Sequence, residues 1–146
     1  MKRRILIDAD GCPVVDIAVK LARQYNTECL ILCDTSHRFE KEGAKTLTFS
    51  KGADSVDFAL VNLLEAGDIV VTQDYGLAAM CLSRSAFPMS QDGMLYTGDN
   101  IDALLMARYT AKKIRNAGGR LKGPSKRTAM QDKAFEERLK NILNEK

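Results

Sequence analysis

The sequence predicts an α/β fold, a three-layer α/β/α sandwich around a mainly parallel sheet, and three observations predict it. Short apolar runs alternate with stretches of helical periodicity from one end of the chain to the other. The runs are apolar throughout rather than apolar on alternate residues, as strands are when helices cover both faces of a parallel sheet. Several of them end in an acid (Asp8, Asp34, Asp74), at the carboxyl ends where such sheets place their sites.

Taken in order, Arg4 to Asp8 reads as a buried strand, and Pro13 stands where a helix begins. Val14, Val15, Ala18, Leu21, Ala22 and Tyr25 then follow at helical spacing. CLILCD is a second strand, and after the polar loop TSHRFEKEGA comes a third, Thr46 to Phe49. DSVDFALVNLLEAG reads as a helix closed by Gly67, and DIVVTQD as a strand. Gly76 to Ser85 suits a helix, Met94 to Tyr96 a short strand, and Asn100 to Arg115 another helix ending near Gly118-Gly119. A basic, glycine-containing loop covers about 116–127, and Phe135, Leu139, Ile142 and Leu143 mark a last amphipathic helix at about 128–143.

The 146 residues show no internal repeat, low-complexity tract or boundary, so a single domain over 1–146 is expected. There is no apolar stretch of about eighteen residues to span a bilayer, and MKRR runs at once into strand and acids instead of a signal-peptide core. The expectation is a cytoplasmic protein with no membrane partner. The four cysteines include no Cys-x-x-Cys pair; Cys29 and Cys33 share a strand face and read as buried thiols. Net charge is +3 but uneven: Ala103 to Gln131 holds eight basic residues and no acid, leaving fourteen basic against nineteen acidic residues elsewhere, a net −5.

The chemistry lies in the acids. In an extended chain residues two apart share a face, so Asp8 and Asp10 converge on one point. Asp74 ends a later strand, and Asp54 and Asp57 open a helix at a spacing that shares a face. If these ends lie side by side, hard carboxylate oxygens suit Mg2+ or Mn2+, with water and phosphate completing the shell. Such an ion serves phosphodiester hydrolysis. Each acid also has a plain structural reading: Asp54 and Asp74 as helix caps, Asp57 on the positive end of a helix, and Asp34 in a turn. His37 is the only histidine, and neither a P-loop nor a dinucleotide-binding stretch is present. Arg120, Lys122, Lys126 and Arg127 on the glycine-bearing loop are the candidate nucleic-acid contacts, because cations on a loop can follow a phosphate backbone.

DADGCP, GADSVDFAL, GDIVVTQDYGLAA and GGRLKGPSKRTAMQDKAFEERL, in that order, resemble the YaiI/YqxD family of uncharacterised bacterial proteins, grouped with PIN-like domains. The resemblance covers nearly the whole chain. It implies a PIN-like sandwich whose related nucleases hold divalent metal with strand-end acids. Carried over by position, the motifs supply Asp8 and Asp10, Asp54 and Asp57, and Asp74, with Thr72 as a polar helper. Asp34 falls where relatives often carry asparagine and stays outside this set.

The first expectation is therefore an Mg2+- or Mn2+-dependent nuclease, with RNA ahead of DNA as substrate. Asp8, Asp10, Asp57 and Asp74 would be catalytic, and Asp54 would join them at the metal. Two alternatives remain open. One is a PIN-like scaffold that binds nucleic acid or protein without cutting. The other is a haloacid-dehalogenase-like phosphatase using DxD, with Thr35 or Ser36 and Lys51 as partners. Oligomeric state is open.

Overall fold

The computed structural model describes residues 3–34, 40–50, 55–119 and 126–145. Five strands, β1 (Arg4–Asp8), β2 (Glu28–Asp34), β3 (Lys45–Phe49), β4 (Ile69–Val71) and β5 (Phe87–Met89), form one all-parallel sheet in the order β3-β2-β1-β4-β5. Five helices accompany them: α1 (Val15–Gln24), α2 (Ser55–Leu63), α3 (Tyr75–Ser83), α4 (Gly98–Asn116) and α5 (Ala129–Asn144).

The unbroken apolar runs divide between the two faces residue by residue. Ile5, Ile7, Cys29, Ile31, Cys33, Ile69 and Val71 pack with α1 and with Phe135, Leu139 and Ile142 of α5. Leu6, Leu30, Leu32 and Val70 pack on the other face, with Leu60, Val61 and Leu64 from the α2 region and Leu77 and Cys81 of α3. This is the predicted three-layer arrangement. Cys29, Cys33 and Cys81 are buried thiols outside any disulfide, with Cys29 and Cys33 on one face as their spacing predicts.

Three expectations change. The helix expected to close at Gly67 ends at Leu63, and Gly67, at φ +89, instead turns the chain into β4. The turn is fastened by Asp68, whose carboxylate accepts the Glu65 N–H at 2.8 Å and a forked pair of bonds from Arg4 (Nη2 2.6 Å, Nε 3.2 Å). The strand expected at Met94 to Tyr96 is absent; Leu95 makes one isolated antiparallel bridge to Met89. The fifth strand is Phe87–Met89, masked in the sequence by its central proline. Pro88 is tolerated because β5 is the sheet edge, where a missing N–H interrupts no inner ladder.

The C-terminal helix is pinned to the body near its start. Gly93, at φ +86, lies so close to α5 that a Cβ there would sit 2.6 Å from the Ala134 carbonyl oxygen. Arg127 closes the same junction, donating to Asp132 and Asp92 and to the Gln91 carbonyl, each at 2.7 Å. No helix among the described residues is long and apolar enough to cross a membrane.

Candidate active site

In the order β3-β2-β1-β4-β5 the chain leaves β1 toward β2 on one side and later fills β4 on the other, so the carboxyl ends of β1 and β4 border a topological switch point. A cleft of about 440 Å³ opens there, lined by Asp8, Asp10 and Asp74 with Thr72, Gln73, Tyr75, Gln91 and Arg108 among others.

Asp8 is the last residue of β1, beyond the point where pairing with β4 stops at Ile7 and Val71. Its Oδ2 accepts the Thr72 hydroxyl at 2.8 Å, and the Thr72 oxygen accepts the Asp74 N–H at 3.0 Å. A hydroxyl has one proton, and the amide can only donate, so the Thr72 proton is committed to Asp8. The Thr72 main chain is fixed in turn: its carbonyl accepts the buried Tyr96 hydroxyl at 3.0 Å, and its N–H donates to the Met89 carbonyl at 3.0 Å. Burial is the largest influence on Asp8 and pushes its carboxyl above the ordinary range. The Thr72 hydrogen bond opposes this, while the charges of Asp74 and Asp10 add to it.

Asp74 caps α3, its Oδ1 accepting the Leu77 N–H at 3.1 Å, and the Arg108 guanidinium stands 4.0 Å from the same oxygen. The cap reading and the cleft reading of Asp74 thus hold together. Asp10 ties the loop after β1 to the end of β2 by accepting the Asp34 N–H at 3.1 Å. Gly11 follows at φ +73, a left-handed turn that lets the chain leave the cleft wall toward α1. Burial pushes the Cys12 thiol up to about 11, so this cleft residue is not a thiolate nucleophile at neutral pH.

None of the remaining expected site residues is among the described residues that line the cleft. Asp57 sits in the first turn of α2 and is not among the described residues that line the cleft. Asp54, Arg120 and Lys122 lie outside the described residues, as do Thr35, Ser36 and Lys51 of the phosphatase alternative. Lys126 is exposed. Arg127, expected at a phosphate, has its guanidinium engaged by Asp92, Asp132 and the Gln91 carbonyl, a clamp within the fold. Among the described residues no group of three or more His, Cys, Asp or Glu side chains is arranged to hold a metal ion.

Sequence reasoning passed over three cleft residues. Arg108 was one cation among eight; its signal is position, four residues after Leu104 on the packed stripe of α4. Gln73 and Gln91 carry no motif, yet the Gln91 N–H donates to Gln73 Oε1 at 2.8 Å and so links the loop after β5 to the TQD segment.

Comparison with known proteins follows the same span. The family model described as "Uncharacterized BCR, YaiI/YqxD family" matches residues 6–145. A UPF0178 protein of Exiguobacterium sibiricum is 52% identical over 143 residues, covering 98% of both chains. UPF0178 proteins of Clostridium acetobutylicum (45% over 142 residues, 96% of both chains) and Ruminiclostridium cellulolyticum (46% over 136 residues, 93% of this chain and 89% of the relative) are also similar. No solved structure matches the chain.

Proposed function

The chain belongs to the YaiI/YqxD family, and from the cleft at the β1–β4 switch point we propose that it is an Mg2+- or Mn2+-dependent nuclease, PIN-like in its use of strand-end acids, with RNA ahead of DNA as substrate. One observation carries the reading: Asp8, partly buried and beside two further carboxylates, is held by a neutral hydroxyl and, among the described residues, by no cation. That leaves the Asp8 carboxylate for a ligand to neutralise.

The donor set fits one kind of ion better than another. Without a three-ligand group among the described residues, a cage built wholly of protein is not supported. A magnesium-type ion keeps several waters and takes one or two carboxylates plus substrate phosphate, which Asp8 with Asp74 or Asp10 can provide. When bound, such an ion supplies Lewis acidity to a phosphodiester and a nucleophile from water. Within the chain, Thr72 holds Asp8 in one orientation and Asp74 is fixed by the start of α3. Arg108 offers a guanidinium at the mouth, suited to a phosphate oxygen.

The test is cleavage of labelled RNA and DNA oligonucleotides by wild type and Asp8→Asn, with Mg2+, Mn2+ or EDTA. The proposal expects metal-dependent cutting that Asp8→Asn abolishes while nucleic-acid binding persists. Equal cutting by the two proteins, or none by wild type with either metal, overturns it. The absence of a three-acid group among the described residues favours a second reading, a scaffold that binds without cutting, and that second outcome would select it.

A further inference from the structure

α4 is built as two unlike halves. Its 19 residues span about 28 Å. Near its start Ile101, Leu104 and Leu105 pack with Ala78, Tyr75, Leu82 and Tyr96. From Met106 to Asn116 every residue but Ala111 is exposed, Met106 and Tyr109 by 62% and 57%. The packed stripe continues into the exposed half by helical spacing, but as cations: Ile101, Leu104 and Leu105 give way to Arg108, Lys112 and Arg115. With Lys113 the half carries four cations, and no acid occurs between Ala103 and Gly119. The basic stripe begins at the cleft, where Arg108 lies 4.0 Å from Asp74. Tyr109 sits beside it, with the Lys113 ammonium 5.5 Å from its ring centroid.

We propose that α4 is a guide for single-stranded nucleic acid leading into the cleft. Arg108, Lys112 and Arg115 follow successive phosphates, and Tyr109 stacks on an unpaired base. The inference rests on the nuclease reading of the cleft and names its substrate as a single strand. Two features select this occupant over a second copy of the chain. A twofold pairing through the exposed halves of α4 brings eight cations together with no acid in either half, which costs affinity, whereas a polyanion releases counterions on the same surface. An exposed aromatic flanked by cations on the acid-free half of a helix is an arrangement that sequence-tolerant single-strand binding uses.

The experiment is fluorescence anisotropy in EDTA, using a labelled oligouridylate of about 12 nucleotides and an RNA duplex of equal length, from about 50 to 200 mM salt. Lys112→Ala/Lys113→Ala/Arg115→Ala, three exposed positions away from the cleft, is expected to bind the single strand about tenfold or more weakly. Its log–log salt slope should be shallower by about 1.4, at about 0.7 for each of Lys112 and Arg115, the two removed cations that follow phosphates. Tyr109→Ala is expected to weaken single-strand binding about fivefold and leave the duplex unchanged. Equal affinity and slope for the triple variant overturn the proposal. So does a wild type that sediments as a dimer and becomes monomeric in Met106→Ser/Tyr109→Ser, which would give the face to a second copy. The two proposals fail separately. A wild type that binds through α4 but never cuts removes the nuclease reading alone, and α4 variants that bind and cut like wild type remove this one alone.

Discussion

At the amino end of β4, Asp68 is 1% exposed and receives a forked pair of hydrogen bonds from Arg4 together with the Glu65 N–H. At the carboxyl end of the neighbouring strand, Asp8 is partly buried, but its hydrogen-bond partner is the Thr72 hydroxyl and its charged neighbours are Asp74 and Asp10. The same residue type at opposite ends of one strand pair is therefore neutralised in one place and left electrically open in the other. A buried charge costs free energy unless compensated, so the first arrangement closes a fold and the second leaves compensation to something that binds.

The comparison breaks if both acids behave alike on substitution. Asp68→Asn leaves the Arg4 guanidinium, itself 14% exposed, with only the exposed Glu65 carboxylate at 4.0 Å for a counter-charge and should lower stability by about 3 kcal/mol. Asp8→Asn should leave the metal-free protein as stable or more stable, because it removes a partly buried charge next to two like charges. Cleavage should rank them the other way, with Asp8→Asn losing more than about 100-fold and folded Asp68→Asn keeping near-normal activity. Urea titration of both variants in EDTA, with parallel nuclease assays, checks the crossing. Two equally destabilised variants would make Asp8 an ordinary structural acid.

Thr72→Val tests the hydroxyl that distinguishes the open end. It removes the donor to Asp8 and strands the Asp74 N–H, and it should reduce metal-dependent cleavage by about 10- to 100-fold, as loss of a hydrogen bond that orients a ligand does. Stability should fall by about 1–2 kcal/mol, because a donor loses its acceptor. A variant with full activity would show that Asp8 needs no orientation.

A smaller effect follows from pH. The folded carboxyl of Asp8 holds its proton more tightly than the unfolded chain does, so protonation favours the fold. The stability this contributes is full below the ordinary carboxylate range and is lost as pH rises through the folded value. In EDTA, wild type should therefore gain stability relative to Asp8→Asn as pH falls through that window, read as the difference between their urea midpoints. A difference that is constant with pH would remove the unneutralised-acid account.

The closed and open ends also differ in how legible they were. The layers, β1, β2 and the switch-point acids Asp8, Asp10 and Asp74 follow from apolar runs and from which residue ends them, and the structure brings those three into one cleft. β5 was missed because Pro88 reads as a strand breaker until the edge position is known. Asp68 read only as the first residue of a strand, since its partner Arg4 is 64 residues away and pairing across such separation leaves no local pattern. Arg127 misled for the same reason. Its clamp to Asp92 and Gln91 spans 35 and 36 residues, so in the sequence it is one more cation on a basic loop.

That clamp gives the smallest effect and the sharpest use of the comparison, because Arg127 works as Arg4 does yet sits on the side of the open end. Its guanidinium holds the Gln91 carbonyl, and the Gln91 N–H holds Gln73, which lies between Thr72 and Asp74. Arg127→Ala should cost about 1–2 kcal/mol of stability, discounted because both partner carboxylates are 44% exposed. If the clamp also positions the cleft, kcat should fall severalfold while the salt dependence of oligonucleotide binding stays that of wild type. If Arg127 instead contacts phosphate, as the basic loop first suggested, the salt slope becomes shallower by about 0.7. Stability and slope measured on this one variant separate a cation that serves the fold from one that serves the ligand.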